Sequence, residues 1–439
     1  MENGKTTSLR EKLAYSLGDS GSNFVWTFTS SFLTLYYTDS VLLAAGVVGT
    51  IMLISRLLDG VSDIAFGFVL ERTHTRFGKA RPWFGLSILP LVITFLLVFH
   101  VPQNLSAGGK TVYVIVTYIL MTVVVYTVNN LSFHAMLSRI SLTQDDRNRI
   151  STIRGIFAFM TGLVLAVMTS SLLAAFGGEK QQASWSKIAL IYASVCLVFQ
   201  AICFFGTKEK IPTVSEKTGK QENIRAGVQA LLHTRYFYLA VLVFIFSYVI
   251  SGSMLGTAAY YARDVLGDSG TYIYIALVYV VFMVVGMILV PRLVSRFGKR
   301  KVMTYGGLLA VIGNAIGFIN PYRLPIVLIS VAVSSFGQAP YSSIMFTLAP
   351  DIVDYLEKKK GERYEGLATS ANSFGMKVGT GLGSAAIGWC LALGRYSGEL
   401  SVQPHSALVA EIVMLFALPL VANLLRTVCI AQWRIEEDE

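Results

Sequence analysis

The sequence predicts an all-α integral membrane protein of twelve transmembrane helices arranged as two six-helix bundles. Three observations predict it: a composition too apolar for a water-facing surface, twelve apolar runs of membrane-crossing length, and an internal echo that returns after six runs. By length alone, 439 residues could build two or three soluble domains. However, 54% of residues are hydrophobic and 14% charged, with a mean hydropathy of +0.59. A soluble surface needs about a quarter charged residues, so most of this surface must face lipid.

A spanning helix needs about twenty apolar residues. Span 1, residues 15–37, follows a polar start, and its length argues against a cleavable signal peptide. Spans 2 to 6 cover residues 41–70, 83–101, 111–137, 152–176 and 186–206. Spans 7 to 12 cover 236–261, 270–293, 302–320, 324–350, 366–393 and 405–430. Between the halves, Lys208, Lys210, Lys217 and Lys220 mark a solvated tether. The expected organisation is an N-terminal bundle (1–207), a cytoplasmic central loop (208–235) and a C-terminal bundle with a short cytoplasmic tail (236–439).

Lysine and arginine set the orientation. With both termini in the cytoplasm, the far-side loops hold only Lys110, Lys180, Lys187, Arg263, Arg323 and Arg395, and Arg56, Arg154 and Lys377 fall inside spans. All other basic residues then lie at the cytoplasmic side, as the positive-inside rule requires. The same distribution accounts for the net charge of +10, so no nucleic-acid partner is expected. Cys196, Cys203, Cys390 and Cys429 lie in apolar runs without a CxxC pair and read as packing thiols.

The halves echo each other. Thr75-Arg76-Phe77-Gly78-Lys79 after span 2 matches Ser295-Arg296-Phe297-Gly298-Lys299 after span 8. Tyr36-Tyr37 before Asp39 resembles Tyr260-Tyr261 before Asp264. Both offsets return the matched segment six spans later in the same orientation. Parallel halves of this kind are the architecture of the major facilitator superfamily fold.

Charges inside spans are costly, about 2.5–3.5 kcal/mol each at mid-bilayer, and so carry information. Arg56, Asp59 and Asp63 of span 2 are three and four residues apart and share one helical face. Two carboxylates a turn apart in dry surroundings must take up a proton or share a cation. A salt bridge between Arg56 and Asp59 is the structural alternative. Span 1 carries Asp19 and Asn23; span 4 carries Thr127, Asn129, Asn130 and His134, the last read as a hydrogen-bonded pocket residue rather than a proton relay. Lys377 lies in a span rich in glycine (Gly366, Gly375, Gly379, Gly381, Gly383), a pattern of close helix packing. Metal-ligand spacing and nucleophile–base arrangements are missing, so neither an enzyme nor a resident cofactor is expected.

On these residues the chain resembles the glycoside–pentoside–hexuronide:cation symporters, the family of the melibiose permease and the glucuronide transporter. The resemblance rests on Arg56-Leu57-Leu58-Asp59-Gly60-Val61-Ser62-Asp63, Arg76-Phe77-Gly78-Lys79, Arg81-Pro82-Trp83, the stretch from Tyr15 to Asn23, and Tyr36-Tyr37-Thr38-Asp39. In the second half it rests on Asp351-Ile352-Val353-Asp354-Tyr355 and Arg363-Tyr364-Glu365-Gly366, with Lys377 after them. It implies uptake of a sugar or glycoside driven by a co-transported proton or sodium ion, in a bacterial cytoplasmic membrane, by a monomer. Asp59 and Asp63, with Thr127 and Ser62, would hold the cation. Ser62 stands where sodium-using members have an asparagine, which tilts the expectation towards a proton.

Asn23, Asn130, His134 and Arg154, with Asn372, Ser373 and Lys377, would bind substrate. The melibiose type has aspartates where this chain has Asn23 and Asn130. With Arg154 and Lys377 retained, that exchange makes the site more positive, and an anionic substrate of hexuronide or glucuronide type, or a sulfonated sugar, is expected. A neutral glycoside or pentoside, a lysolipid, or a sugar-sensing role without transport are the alternatives. Arg76, Lys79 and Arg81, with Asp351 and Asp354 as partners in the other half, are the gating candidates, although topology and helix capping explain each of them equally well.

Overall fold

The computed structural model describes residues 7–73, 75, 77–141, 144–210, 233–360, 365–400 and 402–435. Of the sequence candidates, Arg76, most of the central loop including Lys217 and Lys220, and the pair Arg363-Tyr364 lie outside them. The described residues form twelve helical runs and no named strand. They are α1 (Leu9–Leu35), α2 (Ala45–Glu71), α3 (Arg81–Val98), α4 (Ala107–Ile119, continuing through Thr127–Ile140), α5 (Gln144–Phe176) and α6 (Gln182–Gly206). The second series is α7 (Arg235–Asp264), α8 (Thr271–Phe297), α9 (Lys299–Ile316), α10 (Leu324–Ile344, continuing through Leu348–Lys360), α11 (Glu365–Leu393) and α12 (His405–Ile412, continuing through Leu418–Ala431).

Among the described residues, nine helices are long and apolar enough to cross a membrane. The three that fall short do so for visible reasons. The first, α1, is diluted by Asp19 and a run of serines and glycines. In α2 the diluting residues are Arg56, Asp59 and Asp63, and α9 opens on Lys299-Arg300-Lys301. Polar side chains that lower hydropathy therefore mark two of the helices that carry candidate site residues.

The chain divides into two units, residues 1–215 with 397–399, and 216–396 with 400–439. Each has its own packing scheme, and the schemes match. In the first, α1 packs on α5 and α6, α3 on α4 and α6, and α2 on α4; in the second, α7 packs on α11 and α12, α9 on α10 and α12, and α8 on α10. The sequence echo is thus an echo of helix neighbours. Its turn is repeated as well: Gly78 and Gly298 both take positive φ, 111° and 79°, a backbone region open to glycine at little cost.

Lipid provides no hydrophobic force between helices, so close approach must come from shape. In the second unit, a β-carbon at Gly379 or Gly383 of α11 would collide with the carbonyl oxygens of Ile245 and Val249 on α7. Glycine at these positions lets α11 lie directly on the α7 backbone. In the first unit, Asn129 plays the packing role through hydrogen bonds. It donates to Ser87 and Gln200 at 3.0 Å each and accepts from Gln200 at 3.1 Å and Ser22 at 3.3 Å. That tie joins α1, α3, α4 and α6. Cys196, Cys203 and Cys429 are buried free thiols and Cys390 is half-buried.

Candidate functional site

Asp59 is buried on the inner face of α2, and Asp63, a turn further on, is half-buried. The partner of Asp59 comes from α4. Thr127 donates its hydroxyl to Asp59 Oδ1 at 2.9 Å. Ser62 Oγ lies 3.0 Å from Thr127 Oγ1 and donates to the Asp59 carbonyl at 3.0 Å. One carboxylate and two hydroxyls thus converge where α2 meets α4, an all-oxygen set suited to a proton or a hard cation.

A break in α4 gives Thr127 this setting. Residues Leu120–Tyr126 form a π-turn, and Thr127 follows it directly. Its hydroxyl reaches back to the carbonyl of Thr122, five residues earlier, at 3.5 Å. A π-turn shifts the angular phase of the residues beyond it, and such turns recur at functional sites.

Arg56 is buried, with its guanidinium 3.8 Å from the centre of the Trp26 ring. Trp26 in turn stacks on Tyr126 at 4.5 Å and 20°. The column Arg56–Trp26–Tyr126 runs from the helix of the paired carboxylates to the helices of the substrate candidates. Asn130 points its amide at the Tyr126 hydroxyl, 3.5 Å away, while Asn23 donates to the Asp19 carbonyl and carboxylate at 2.8 and 3.2 Å. Neither Trp26 nor Tyr126 was singled out by charge. Helical spacing offered the available signal, because Trp26 lies three residues after Asn23 and Tyr126 four before Asn130.

Arg154 of α5 places Nη1 3.0 Å from His134 Nδ1 and acts electrostatically on Asp19 and Tyr15. A guanidinium can only donate. His134 must therefore accept at Nδ1, which puts its own proton on Nε2 and keeps the ring neutral. The result is an aromatic pair (Trp26, Tyr126), two amides, a neutral imidazole donor, a guanidinium and the Asp19 carboxyl on which that guanidinium acts, grouped in the first unit.

In the second unit, α11 carries Asn372 (buried), Ser373 (exposed) and Lys377 (half-buried). Asn372 Oδ1 has no hydrogen-bond partner among the described residues. Arg426, which the distribution of basic residues assigned to the cytoplasmic side, is instead fully buried inside α12. Glu411 of the same helix is also fully buried.

Among the described gating candidates, Lys79, Arg81 and Asp351 make contacts inside their own units. The carboxylate of Glu209 caps the start of α3, accepting from the backbone N–H groups of Lys79, Ala80 and Arg81 at 2.9, 2.8 and 2.7 Å. Arg139 approaches the same carboxylate at 3.7 Å. The Arg81 side chain donates to the Phe204 carbonyl at 2.9 Å. Asp351 pairs with Lys299, and Asp354 is exposed.

A family model described as MFS/sugar transport protein matches residues 14–437. The isoprimeverose transporter of Lactiplantibacillus pentosus is 29% identical over 433 residues, covering 98% of this chain and 89% of that protein. The glucuronide carrier protein homolog of Escherichia coli is 31% identical over 395 residues, covering 89% of this chain and 84% of the relative. Among solved structures, the inward-open xylose transporter XylE from E. coli superposes with a TM-score of 0.65 at 13% identity, covering 94% of each chain. That likeness is one of fold.

Proposed function

Because the chain belongs to the MFS/sugar transport protein family, we propose that it is a cation-coupled symporter taking up an anionic glycoside of hexuronide or glucuronide type by alternating access. The convergence of Asp59, Ser62 and Thr127, with Asp63 a turn away, is the observation that carries the coupling half of this reading. The Thr127 hydroxyl fixes one oxygen of the Asp59 carboxylate that a visiting cation or proton would meet. A second carboxylate nearby makes the doubly charged state costly until a proton or sodium ion arrives. Arrival of the cation removes that cost, and the resulting change in stability is what couples the ion to the solute.

The substrate half rests on the charge of the binding residues. Asn130 keeps an N–H that can donate to a carboxylate where an aspartate would repel it, Asn23, whose N–H groups are held by Asp19, presents its carbonyl to sugar hydroxyls, and Arg154 adds a fixed positive charge beside the neutral His134. Trp26 is held between Arg56 and Tyr126, and the face of Tyr126 turned away from it is the flat surface for the apolar side of a sugar ring. Asn372, Ser373 and Lys377 are assigned to the substrate from the second unit. The same reading has both termini in the cytoplasm, a bacterial cytoplasmic membrane and a working monomer.

Counterflow in proteoliposomes tests both halves. Glucuronides should compete with the labelled substrate better than the matching neutral glycosides, and competition by neutral galactosides alone would rule out the anionic class. Asp59→Asn should abolish accumulation against a gradient while counterflow or binding persists. Undiminished accumulation in that variant would refute the coupling role.

A further inference from the structure

We propose that Arg426 forms an anion-recognition subsite inside the second unit, taking the carboxylate or sulfonate of the transported glycoside. The proposal rests on the anionic-substrate reading and names the residue that enforces it. Arg426 is 1% exposed, so its charge has left water altogether. Nη1 donates to Ser247 Oγ at 3.2 Å, whereas Nε and Nη2 have no hydrogen-bond partner among the described residues. The guanidinium lies 3.7 Å from the centre of the Tyr341 ring. That contact favours the cation, but a ring face lies above the guanidinium plane and accepts none of its in-plane N–H groups.

The pattern of unsatisfied atoms is specific. Nε–H and one N–H of Nη2 lie parallel along one edge of the guanidinium, spaced as the two oxygens of a carboxylate are, and this is the edge used in bidentate arginine–carboxylate pairs. Lysine could not present such an edge. Arg426 also lines a cavity of about 160 Å³, room for a multi-atom group rather than a single water. Besides Tyr341, its other polar walls are Ser247, Tyr248, Ser251, Tyr279, Gln338 and Ser342, and no acidic side chain among the described residues lines it. Hydroxyls and an amide around one cation form a set that recognises a hydroxylated molecule carrying one negative group. The seryl and tyrosyl oxygens can both donate and accept, so they suit sugar hydroxyls next to that group.

The test uses the full-length protein in detergent and two probes, p-nitrophenyl β-D-glucuronide and p-nitrophenyl β-D-glucoside, which differ in carboxylate against hydroxymethyl. Calorimetry should show that Arg426→Gln weakens the glucuronide by about 10- to 100-fold, the range for losing a charge-assisted pair, while glucoside affinity stays within about twofold. Arg426→Lys, which keeps the charge and loses the fork, should fall between. If Arg426→Gln fails to fold, the lysine variant is read alone, with a selective loss for the glucuronide expected. Wild-type preference for the glucuronide that survives unchanged in either variant overturns the Arg426 subsite and leaves the anionic reading intact. Equal weakening for both probes also overturns it, because that is the mark of a structural role. A wild-type protein that binds the glucoside and not the glucuronide, or neither, overturns the anionic reading and this proposal together.

Discussion

Thr127 has one hydroxyl proton and several oxygens around it, and the geometry directs that proton to Asp59. A hydrogen bond to a charged acceptor contributes about 1.5–3 kcal/mol. Thr127→Val keeps the shape and removes the donor, so the cation concentration for half-maximal counterflow should rise about 10- to 100-fold. Thr127→Ser should restore most of the loss, and sugar affinity at saturating cation should hardly move. A matching loss in both quantities would instead point to disturbed packing. At this scale the sequence already displayed the charged and amide residues, because a polar group in an apolar run stands out. Trp26 and Tyr126 were hidden, since aromatics are common in such runs and only contact with Arg56 and Asn130 distinguishes these two. Arg426 lies so near the end of its span that it passes for an interfacial charge.

Helix existence was legible throughout, because a run of apolar residues long enough to cross lipid has few other structures open to it. The interruptions were not. Leu120–Tyr126 is apolar or aromatic apart from Thr122, and nothing in its composition announces a π-turn. The span drawn at 324–350 in fact breaks at Met345–Thr347 and resumes as a helix over Leu348–Lys360, which carries Asp351 and Asp354. Glycine in span 11 did announce close packing, and Gly379 and Gly383 provide it. Gly379→Val would force α11 off α7; overpacking of this kind costs about 1–3 kcal/mol, read as a lower thermal midpoint of the detergent-solubilised protein. The start of α1 makes a different prediction. Lys12 holds Asp146, at the entry to α5, at 2.5 Å. Desolvation opposes ionisation there, yet Lys12 and Thr7 outweigh it and bring the carboxyl down to about 2. A carboxyl lowered in the fold stabilises it above the ordinary carboxylate range, near pH 4, and the contribution fades as pH falls from there to about 2. Asp146→Asn should therefore melt below wild type at pH 7, with the gap closing over that acid window.

For the molecule as a whole, the charge of the cargo decides what can drive it. One cation moving with a neutral glycoside transfers net charge, and each 100 mV then supplies about 2.3 kcal/mol, or about fifty-fold accumulation. One cation moving with a monoanionic glucuronide transfers none. If the proposed substrate class and a one-to-one stoichiometry both hold, a potential imposed across proteoliposomes should leave uptake unchanged, while a proton or sodium gradient alone should drive it. Uptake that follows voltage would require either a second cation per cycle or an uncharged cargo. The seam between α7 and α11 has a mechanical result of its own. At Gly379 and Gly383 no β-carbon of α11 stands between it and the carbonyls of Ile245 and Val249, so the two backbones touch there directly. Lys377 lies two residues before Gly379, on the stretch of α11 that α7 holds most tightly.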